Sequence, residues 1–209
     1  MQKQIKKSNR RNFLKKSAAT VPLPLFIPSS AFGANERINF AGIGMGGRGR
    51  GDLNSFLGFS EIQTLAVCDV VQSHAEQAKS AVDRRYGNND CKTYVDYREI
   101  IMRDDIDAVL IATPDHWHAT PIIEACKAGK DVYCEKPMTL TIEEGQLICD
   151  VCKKTDSVFQ VGTQQRSGRQ FLKAIAMIRD GRIGKVQRVQ CALGGAPTSP
   201  ELPVTKAPA

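Results

Sequence analysis

Short apolar runs alternate along the chain with segments of helical periodicity. The apolar runs lie at 38–44, 62–69, 107–114, 131–134 and 157–162. Segments after these runs space their apolar residues as an amphipathic helix does, for example IEEGQLICDVCKKT at 142–155. Apolar strands without polar alternation, each followed by such a helix, are typical of a parallel sheet covered on both faces. The pattern therefore predicts the α/β class with a doubly wound parallel sheet.

The charge of the chain is concentrated at its N-terminus. The formal net charge is +7, but residues 1–34 hold seven of the 29 basic residues and no acid. The remaining 22 basic residues balance the 22 acidic residues. A formally neutral body gives no electrostatic case for binding nucleic acid, so we expect no nucleic-acid partner.

The basic N-terminal segment has the layout of a targeting signal. Arg10 and Arg11 precede an apolar run at 18–32, which ends in small residues suited to cleavage. This layout resembles a twin-arginine export signal. Three prolines interrupt the run, which is shorter than the ~20 apolar residues that span a bilayer. We therefore predict a signal peptide in 1–34, the twin-arginine translocase as a partner, a periplasmic or exported location and no stable membrane anchor.

The seven cysteines do not suggest a metal site. Cys149 and Cys152 form a CxxC, but the predicted helix contains both, and no second CxxC or nearby histidine completes four ligands. Cys68, Cys134 and Cys191 lie in apolar runs, where we expect packed thiols. We therefore predict no metal.

A glycine-rich loop follows the first predicted strand. Gly42, Gly44 and Gly47 have the GxGxxG spacing of a dinucleotide fingerprint. In that motif the first glycine permits the tight turn, the second lets the backbone approach a pyrophosphate, and the third allows helix and strand to pack closely. Met45 and Gly46 lie between them and are included as candidate cofactor-binding residues. This combination predicts a Rossmann-type nucleotide site, although a methyltransferase loop begins in a similar way.

An acidic residue ends the second predicted strand. Asp69 lies 27 positions after Gly42, where a carboxylate can accept hydrogen bonds from an adenosine ribose and repel a 2′-phosphate. The position favours NAD over NADP. Arg48 and Arg50 lie near the loop and keep NADP as the less favoured alternative, because an arginine can accept a 2′-phosphate.

Three later segments make the pattern specific: ATPDHWH (112–118), GKDVYCEKP (129–137) and VFQVGTQQR (158–166). Their order behind the glycine loop resembles the Gfo/Idh/MocA oxidoreductase family, over residues 37–193. The resemblance implies an NAD-binding Rossmann domain at 35–160 and the beginning of an α+β substrate and oligomerisation domain at 161–209. It also implies a sugar or cyclitol substrate, and a homo-oligomer if the second domain is complete.

The resemblance also implies roles for individual residues. Lys136 would contact the reacting hydroxyl of the substrate, either as an ammonium that polarises that oxygen or as a base that takes the hydroxyl proton. The other implied positions are Thr113, Pro114, His118 and Glu135 at the cofactor, and Gln164 and Arg166 at the substrate. Without the resemblance, Glu135 and Lys136 would be read as a solvated pair, and Gln164 and Arg166 as interdomain contacts.

The C-terminal part departs from the family pattern. VQRVQCALGG (186–195) predicts the first strand of the second domain, after which the chain ends at Ala209. The family's later catalytic Asp and His would lie beyond these residues, so we expect either a fragment of a longer protein or a truncated, inactive chain. Three functions stay open: an exported NAD-dependent oxidoreductase acting on a secondary alcohol, a redox-neutral NAD-using glycosidase, and a non-catalytic cofactor-binding fragment.

Overall fold

The computed structural model describes residues 37–192 of the 209-residue chain. The predicted export signal in 1–34 lies outside the described residues. The chain divides into two units, with the boundary between Gly162 and Thr163.

The first unit is built on one parallel sheet of six strands in the order β3-β2-β1-β4-β5-β6. The strands are β1 (Ile38–Ile43), β2 (Ile62–Cys68), β3 (Lys92–Tyr94), β4 (Ala108–Ile111), β5 (Asp131–Glu135) and β6 (Phe159–Gly162). The predicted α/β class and parallel sheet are confirmed. The pattern of apolar runs missed β3, because its three residues, Lys-Thr-Tyr, form no such run.

Helices connect the strands and cover both faces of the sheet. They are α1 (Gly47–Phe56), α2 (Gln72–Tyr86), α3 (Tyr97–Ile101), α4 (Ala119–Lys127) and α5 (Ile142–Thr155). Successive residues of a strand point to opposite faces, and the core is divided accordingly. Phe40, Val67 and Leu110 pack in one cluster with residues of α1 and α2. Their neighbours along the strands pack in a second cluster with α3, α4 and α5.

The segment after β4 makes one turn before its helix begins. Asp115–Trp117 form a 3-10 turn, and α4 begins only at Ala119. The Asp115 side chain makes no capping hydrogen bond, because the residue lies inside the turn and its backbone carbonyl is the group that accepts a hydrogen bond, from the His118 N–H.

The described part of the second unit, 163–192, contains one longer helix. A 3-10 turn (Gln164–Ser167) precedes α6 (Arg169–Arg179). The predicted strand at 186–195 is not formed over 186–192. A strand requires a hydrogen-bonded neighbour, and no described residue of this unit pairs with it.

Two further expectations concern cysteines and membrane crossing. Cys68 and Cys134 are buried as predicted, whereas Cys191 is exposed, because the strand expected to bury it does not form. Within residues 37–192, no helix is long and apolar enough to cross a membrane.

Candidate functional site

A cavity of ≈ 810 Å³ opens at the carboxyl ends of β1, β2 and β4. The strand order reverses between β1 and β4, which is where ligands bind in open parallel sheets. Five short segments and one further histidine contribute to its walls: the glycine loop, residues 68–71, His74, 95–98, 112–114 and 116–117. The structure thus brings together six predicted positions at one cavity, namely Gly44, Gly46, Gly47, Asp69, Thr113 and Pro114.

Gly44 makes the sharp turn of the glycine loop. Its φ is +82°, a conformation that favours glycine. A Cβ on Gly44 would also lie 2.6 Å from the backbone nitrogen of Thr113. The assignment of the tight turn to Gly42 was therefore wrong, since Gly42 is not among the glycines with positive φ. The Gly44 turn brings the loop against the end of β4.

The close packing of α1 also depends on a different glycine from the one expected. A Cβ on Gly49 would lie 1.9 Å from the Gly44 carbonyl oxygen, whereas a Cβ on Gly47 would meet nothing within 4 Å. The assignment of helix packing to Gly47 was wrong, because α1 starts at Gly47 and turns Gly49 toward the loop. Gly47 instead borders the cavity and leaves space there.

Met45 and Gly42 lie behind the cavity wall. The Met45 side chain is fully buried in the core, and a Cβ on Gly42 would meet its Sδ and Cε atoms at 2.9 and 2.8 Å. Any contact of Met45 with a ligand would therefore come from its backbone.

Asp69 presents an ordered carboxylate to the cavity. Its Oδ1 accepts a hydrogen bond from the Val71 backbone N–H at 2.8 Å. Its Oδ2 lies 3.4 Å from Nδ1 of His74, which is on the first turn of α2 and also lines the cavity. Each oxygen keeps a lone pair for a further donor, so the carboxylate can still receive two hydroxyl groups.

His118 does not line the cavity. The side chain is buried, with Nδ1 2.7 Å from the Pro137 carbonyl oxygen and Nε2 2.8 Å from the Thr113 carbonyl oxygen. Each ring nitrogen thus lies within hydrogen-bond distance of a backbone carbonyl oxygen. His118 thus ties the segment after β4 to the segment after β5.

Glu135 is buried at the end of β5 beside α1. Its Oε1 lies 3.1 Å from Nε of Arg48, but the Arg48 N–H groups are directed to the carboxylate of Asp52. Oε1 therefore has an ion-pair contact without an aligned hydrogen bond. Two buried carboxyl groups thus share one partly exposed guanidinium.

The carboxyl pair favours a proton on Asp52. Burial raises the pKa of Asp52 to about 6, and the nearby Glu135 charge and a hydrogen bond with Glu135 contribute further, while Arg48 opposes the shift. A protonated Asp52 would donate to Glu135, whose Oε1 otherwise has no hydrogen-bond donor among the described residues.

Lys136 follows directly and has an exposed side chain. Its backbone N–H donates to Oε2 of Glu135 at 3.0 Å, and the Lys136–Pro137 peptide bond is cis. Among the described residues of the first unit, no hydrogen bond or ion pair engages Nζ. Buried neighbours thus hold the Lys136 backbone and leave its ammonium available.

The remaining predicted positions, Gln164 and Arg166, lie in the second unit. Both are exposed and belong to its 3-10 turn. The first unit contains all the other predicted site residues.

Sequence reasoning missed several residues near the cavity. His74 follows the Asp69 strand end by five positions, and Tyr97 and Arg98 follow the unpredicted β3. The rule that parallel strands share one carboxyl edge would have pointed to the segment after β3, had the strand been recognised. Asp52 carries no comparable signal, because only the packing of α1 places it beside Glu135.

No metal centre is visible in the part of the chain that the structure describes. Residues 37–192 contain no group of three or more His, Cys, Asp or Glu side chains placed to hold an ion.

Comparison with known proteins agrees with this geometry. The profile of an oxidoreductase family with an NAD-binding Rossmann fold matches residues 38–163. The chain belongs to the Gfo/Idh/MocA oxidoreductase family. The resemblance that the sequence motifs indicated is thereby confirmed at the level of the family.

The proteins similar to this chain differ from one another in their named activities. An alpha-N-acetylgalactosaminidase of Shewanella oneidensis is 31% identical over 163 residues, covering 75% of this chain and 34% of the relative. The structure of a myo-inositol 2-dehydrogenase of Lactobacillus plantarum matches with a TM-score of 0.63 and 28% identity, over 72% of this chain and 43% of that one. A scyllo-inositol dehydrogenase of Lactobacillus casei with bound NAD(H) and scyllo-inositol matches with a TM-score of 0.63 and 26% identity, over 71% of this chain and 42% of that one. This chain thus spans about a third of the length of the curated relative.

Proposed function

We propose that the protein is an NAD-dependent oxidoreductase that acts on a secondary alcohol of a sugar or cyclitol. The observation that carries this proposal is the ordered Asp69 carboxylate in a cavity that a glycine loop and the start of α1 also line. The family is one of NAD-binding oxidoreductases. The inositol dehydrogenases among its structural relatives support a polyhydroxylated ring as the substrate.

The residues present fit a dinucleotide. A volume of ≈ 810 Å³ lies within the usual range for ligand and cofactor sites. The free N–H groups at the start of α1 would receive the pyrophosphate, where Gly46 and Gly47 leave room for it. The buried Oγ1 of Thr113 has no hydrogen-bond partner among the described residues, so it is available to a ligand in this cavity.

The arginines near the loop favour NAD over NADP. The Arg48 guanidinium is engaged with Asp52 and Glu135, and Arg50 Nη1 donates to the Met45 carbonyl oxygen at 3.2 Å. Neither is a free cation for a 2′-phosphate. The Asp69 charge would repel that phosphate in addition.

Lys136 is the residue proposed to act on the substrate. NAD, when bound, would supply the hydride acceptor for oxidation of the alcohol carbon. Lys136 would donate a hydrogen bond from its ammonium to the reacting oxygen and so stabilise the charge that develops there. Glu135 and His118 would hold the Lys136 segment in place from behind.

A second candidate function is a redox-neutral glycosidase that uses NAD within one catalytic cycle. The similarity to an alpha-N-acetylgalactosaminidase favours it. The two functions differ in their product, because only net oxidation releases a stable keto sugar. Incubation with candidate glycosides and polyols, followed by analysis for keto sugar and free aglycone, would therefore separate them.

We also propose that the protein is exported and carries its nucleotide with it. The paired Arg10 and Arg11 support the twin-arginine route, on which proteins fold before they cross. A cofactor that must remain bound outside the cytoplasm for ~10⁴ s, with association at ~10⁶ M⁻¹s⁻¹, requires a Kd of ~10⁻¹⁰ M.

One experiment tests nucleotide carriage and export together. The protein is purified from the exported fraction without added cofactor and denatured, and the released nucleotide is quantified. We expect close to one NAD(H) per chain, and replacement of Arg10 and Arg11 by lysine should retain the protein in the cytoplasm. A protein that emerges empty and neither binds nor retains NAD on titration would contradict the proposed function.

A further inference from the structure

Two cysteines far apart in the sequence meet on the side of the sheet away from α1. Cys126 is in the last turn of α4, and Cys152 is on α5. Their Sγ atoms lie 3.8 Å apart, across a sequence separation of 26 residues. This is the distance of two thiols in contact, and a bond of ~2.05 Å forms once the two sulfurs move closer together.

The two thiols differ in their access to solvent. Cys126 is fully buried in the core, and Cys152 is half-buried at its edge. Cys149 lies one helical turn before Cys152 and is exposed. A small reagent in solution can therefore reach Cys152 from the α5 surface, while Cys126 lies beneath it.

We propose that Cys126 and Cys152 form a redox-active thiol pair, which a small disulfide such as glutathione disulfide oxidises to an intramolecular disulfide. The Cys152 thiolate attacks the external disulfide, so that a mixed disulfide forms and one thiol is released. The Cys126 sulfur then attacks Sγ of Cys152 and expels the second thiol. Two protein thiols are thus oxidised, one external disulfide is reduced to two thiols, and the two protein protons pass to the released thiolates.

The order of these steps follows from burial. Desolvation, with a further contribution from Cys152, raises the pKa of Cys126 to about 12, so few Cys126 thiolates are present at neutral pH. Attack of Cys126 on the mixed disulfide is therefore the slower step, and its rate should increase with pH.

The pair that the structure favours is not the CxxC seen in the sequence. Cys149 and Cys152 are three residues apart in the middle of a regular helix, where a disulfide would distort the backbone, whereas Cys126 and Cys152 already touch between two helices. The bond would link the helix that follows the Thr113–Pro114 turn to the helix that follows Lys136. Oxidation should therefore stabilise the half of the sheet that carries Lys136, the residue proposed to act on the substrate.

The test is disulfide mapping in the folded full chain. The reduced protein is incubated with glutathione disulfide at pH 8, remaining thiols are alkylated after unfolding, and the protein is digested. Trypsin cleaves after Lys127 and Lys153, and cleavage on the amino side of Asp150 separates Cys149 from Cys152. We expect a cross-linked peptide pair containing Cys126 and Cys152, loss of two alkylatable thiols, and a melting temperature higher by about 5 to 15 °C.

Two variants serve as controls. Cys149→Ser should oxidise as the original protein does, because its side chain is exposed and outside the pair. Cys152→Ser should lose the cross-link and the rise in melting temperature. A Cys149–Cys152 disulfide in the original protein, or a stable glutathione adduct on Cys152 with Cys126 still alkylatable, would overturn the proposal.

Discussion

The ends of β2 and β5 both bear a buried carboxylate, but the two groups have opposite surroundings. Asp69 lines the cavity, and its carboxylate contacts a backbone N–H and the ring of His74. Glu135 lies outside the cavity wall, between Arg48, Asp52 and the backbone of Lys136. The same signal in the sequence, an acid at the end of an apolar strand, thus serves in one place to receive a ligand and in the other to fix a neighbouring residue.

The difference predicts different effects of substitution at the two ends. At the β2 end, changes should alter affinity for the nucleotide and leave turnover chemistry and folding largely intact. At the β5 end, changes should alter turnover or stability and leave nucleotide affinity largely intact.

The largest effect is expected at Lys136. In a catalytically active form of the protein, Lys136→Met should lower turnover about 10²- to 10³-fold, because a donor to the reacting oxygen is lost. NAD affinity should change little, since Lys136 does not line the cavity. Steady-state kinetics together with NAD titration would check both, and Lys153→Met on α5 is the matched control. Near-normal turnover would exclude the proposed role.

The next largest effect is expected for the two His118 ring contacts, which join the segment after β4 to the segment after β5. His118→Leu removes both ring contacts and leaves the Thr113 and Pro137 carbonyl groups without that partner. We expect a loss of about 2–4 kcal/mol in the free energy of unfolding, measured by urea denaturation.

The exposed His116 provides the control for this change. His116→Leu should alter stability by no more than about 0.5 kcal/mol. Equal stability of the two variants would show that the His118 contacts do not hold the β4 and β5 ends together.

The β2 end, where Asp69 lines the cavity, is tested by a substitution of that residue. Asp69→Ala should weaken NAD binding by about 1.5–3 kcal/mol, the usual scale for hydrogen bonds to a charged group. The preference for NAD over NADP should narrow as well, because the repulsion of the 2′-phosphate is removed. Calorimetric titration with both nucleotides measures these changes. Unchanged affinity for both would refute the assignment to the ribose.

The smallest effect concerns the buried carboxyl pair. The pKa of Asp52 is raised to about 6 in the folded protein, so ionisation of this group opposes folding. Its stabilising contribution is full below the unfolded pKa near 4 and is lost as the pH rises through about 6. The difference in unfolding free energy between Asp52→Asn and the original protein should therefore shift by about 1–2 kcal/mol in favour of the variant as the pH rises from 4 to 7.5.

Urea denaturation across this pH range would measure the difference. The exposed Asp150→Asn on α5 should show no such trend. A pH-independent difference between the Asp52 variant and the original protein would mean that the Asp52 carboxyl group is not protonated preferentially in the fold.

The sequence by itself determined the class of the fold and the main candidate positions. Apolar runs without alternation specify strands buried on both faces, and their spacing from amphipathic segments requires parallel crossovers. The carboxyl ends of such strands meet at one edge, so Gly44, Asp69 and Thr113 could be assigned to one site before any coordinates.

Only the tertiary structure decided how those positions are used. β3 exists because β2 offers it a hydrogen-bonding edge, not because its three residues prefer a strand. The close approach at Gly49, the Arg48–Asp52–Glu135 cluster and the contact of Cys126 with Cys152 all join residues on separate elements. Such contacts depend on the rotation and packing of whole helices against the sheet, which local periodicity does not contain.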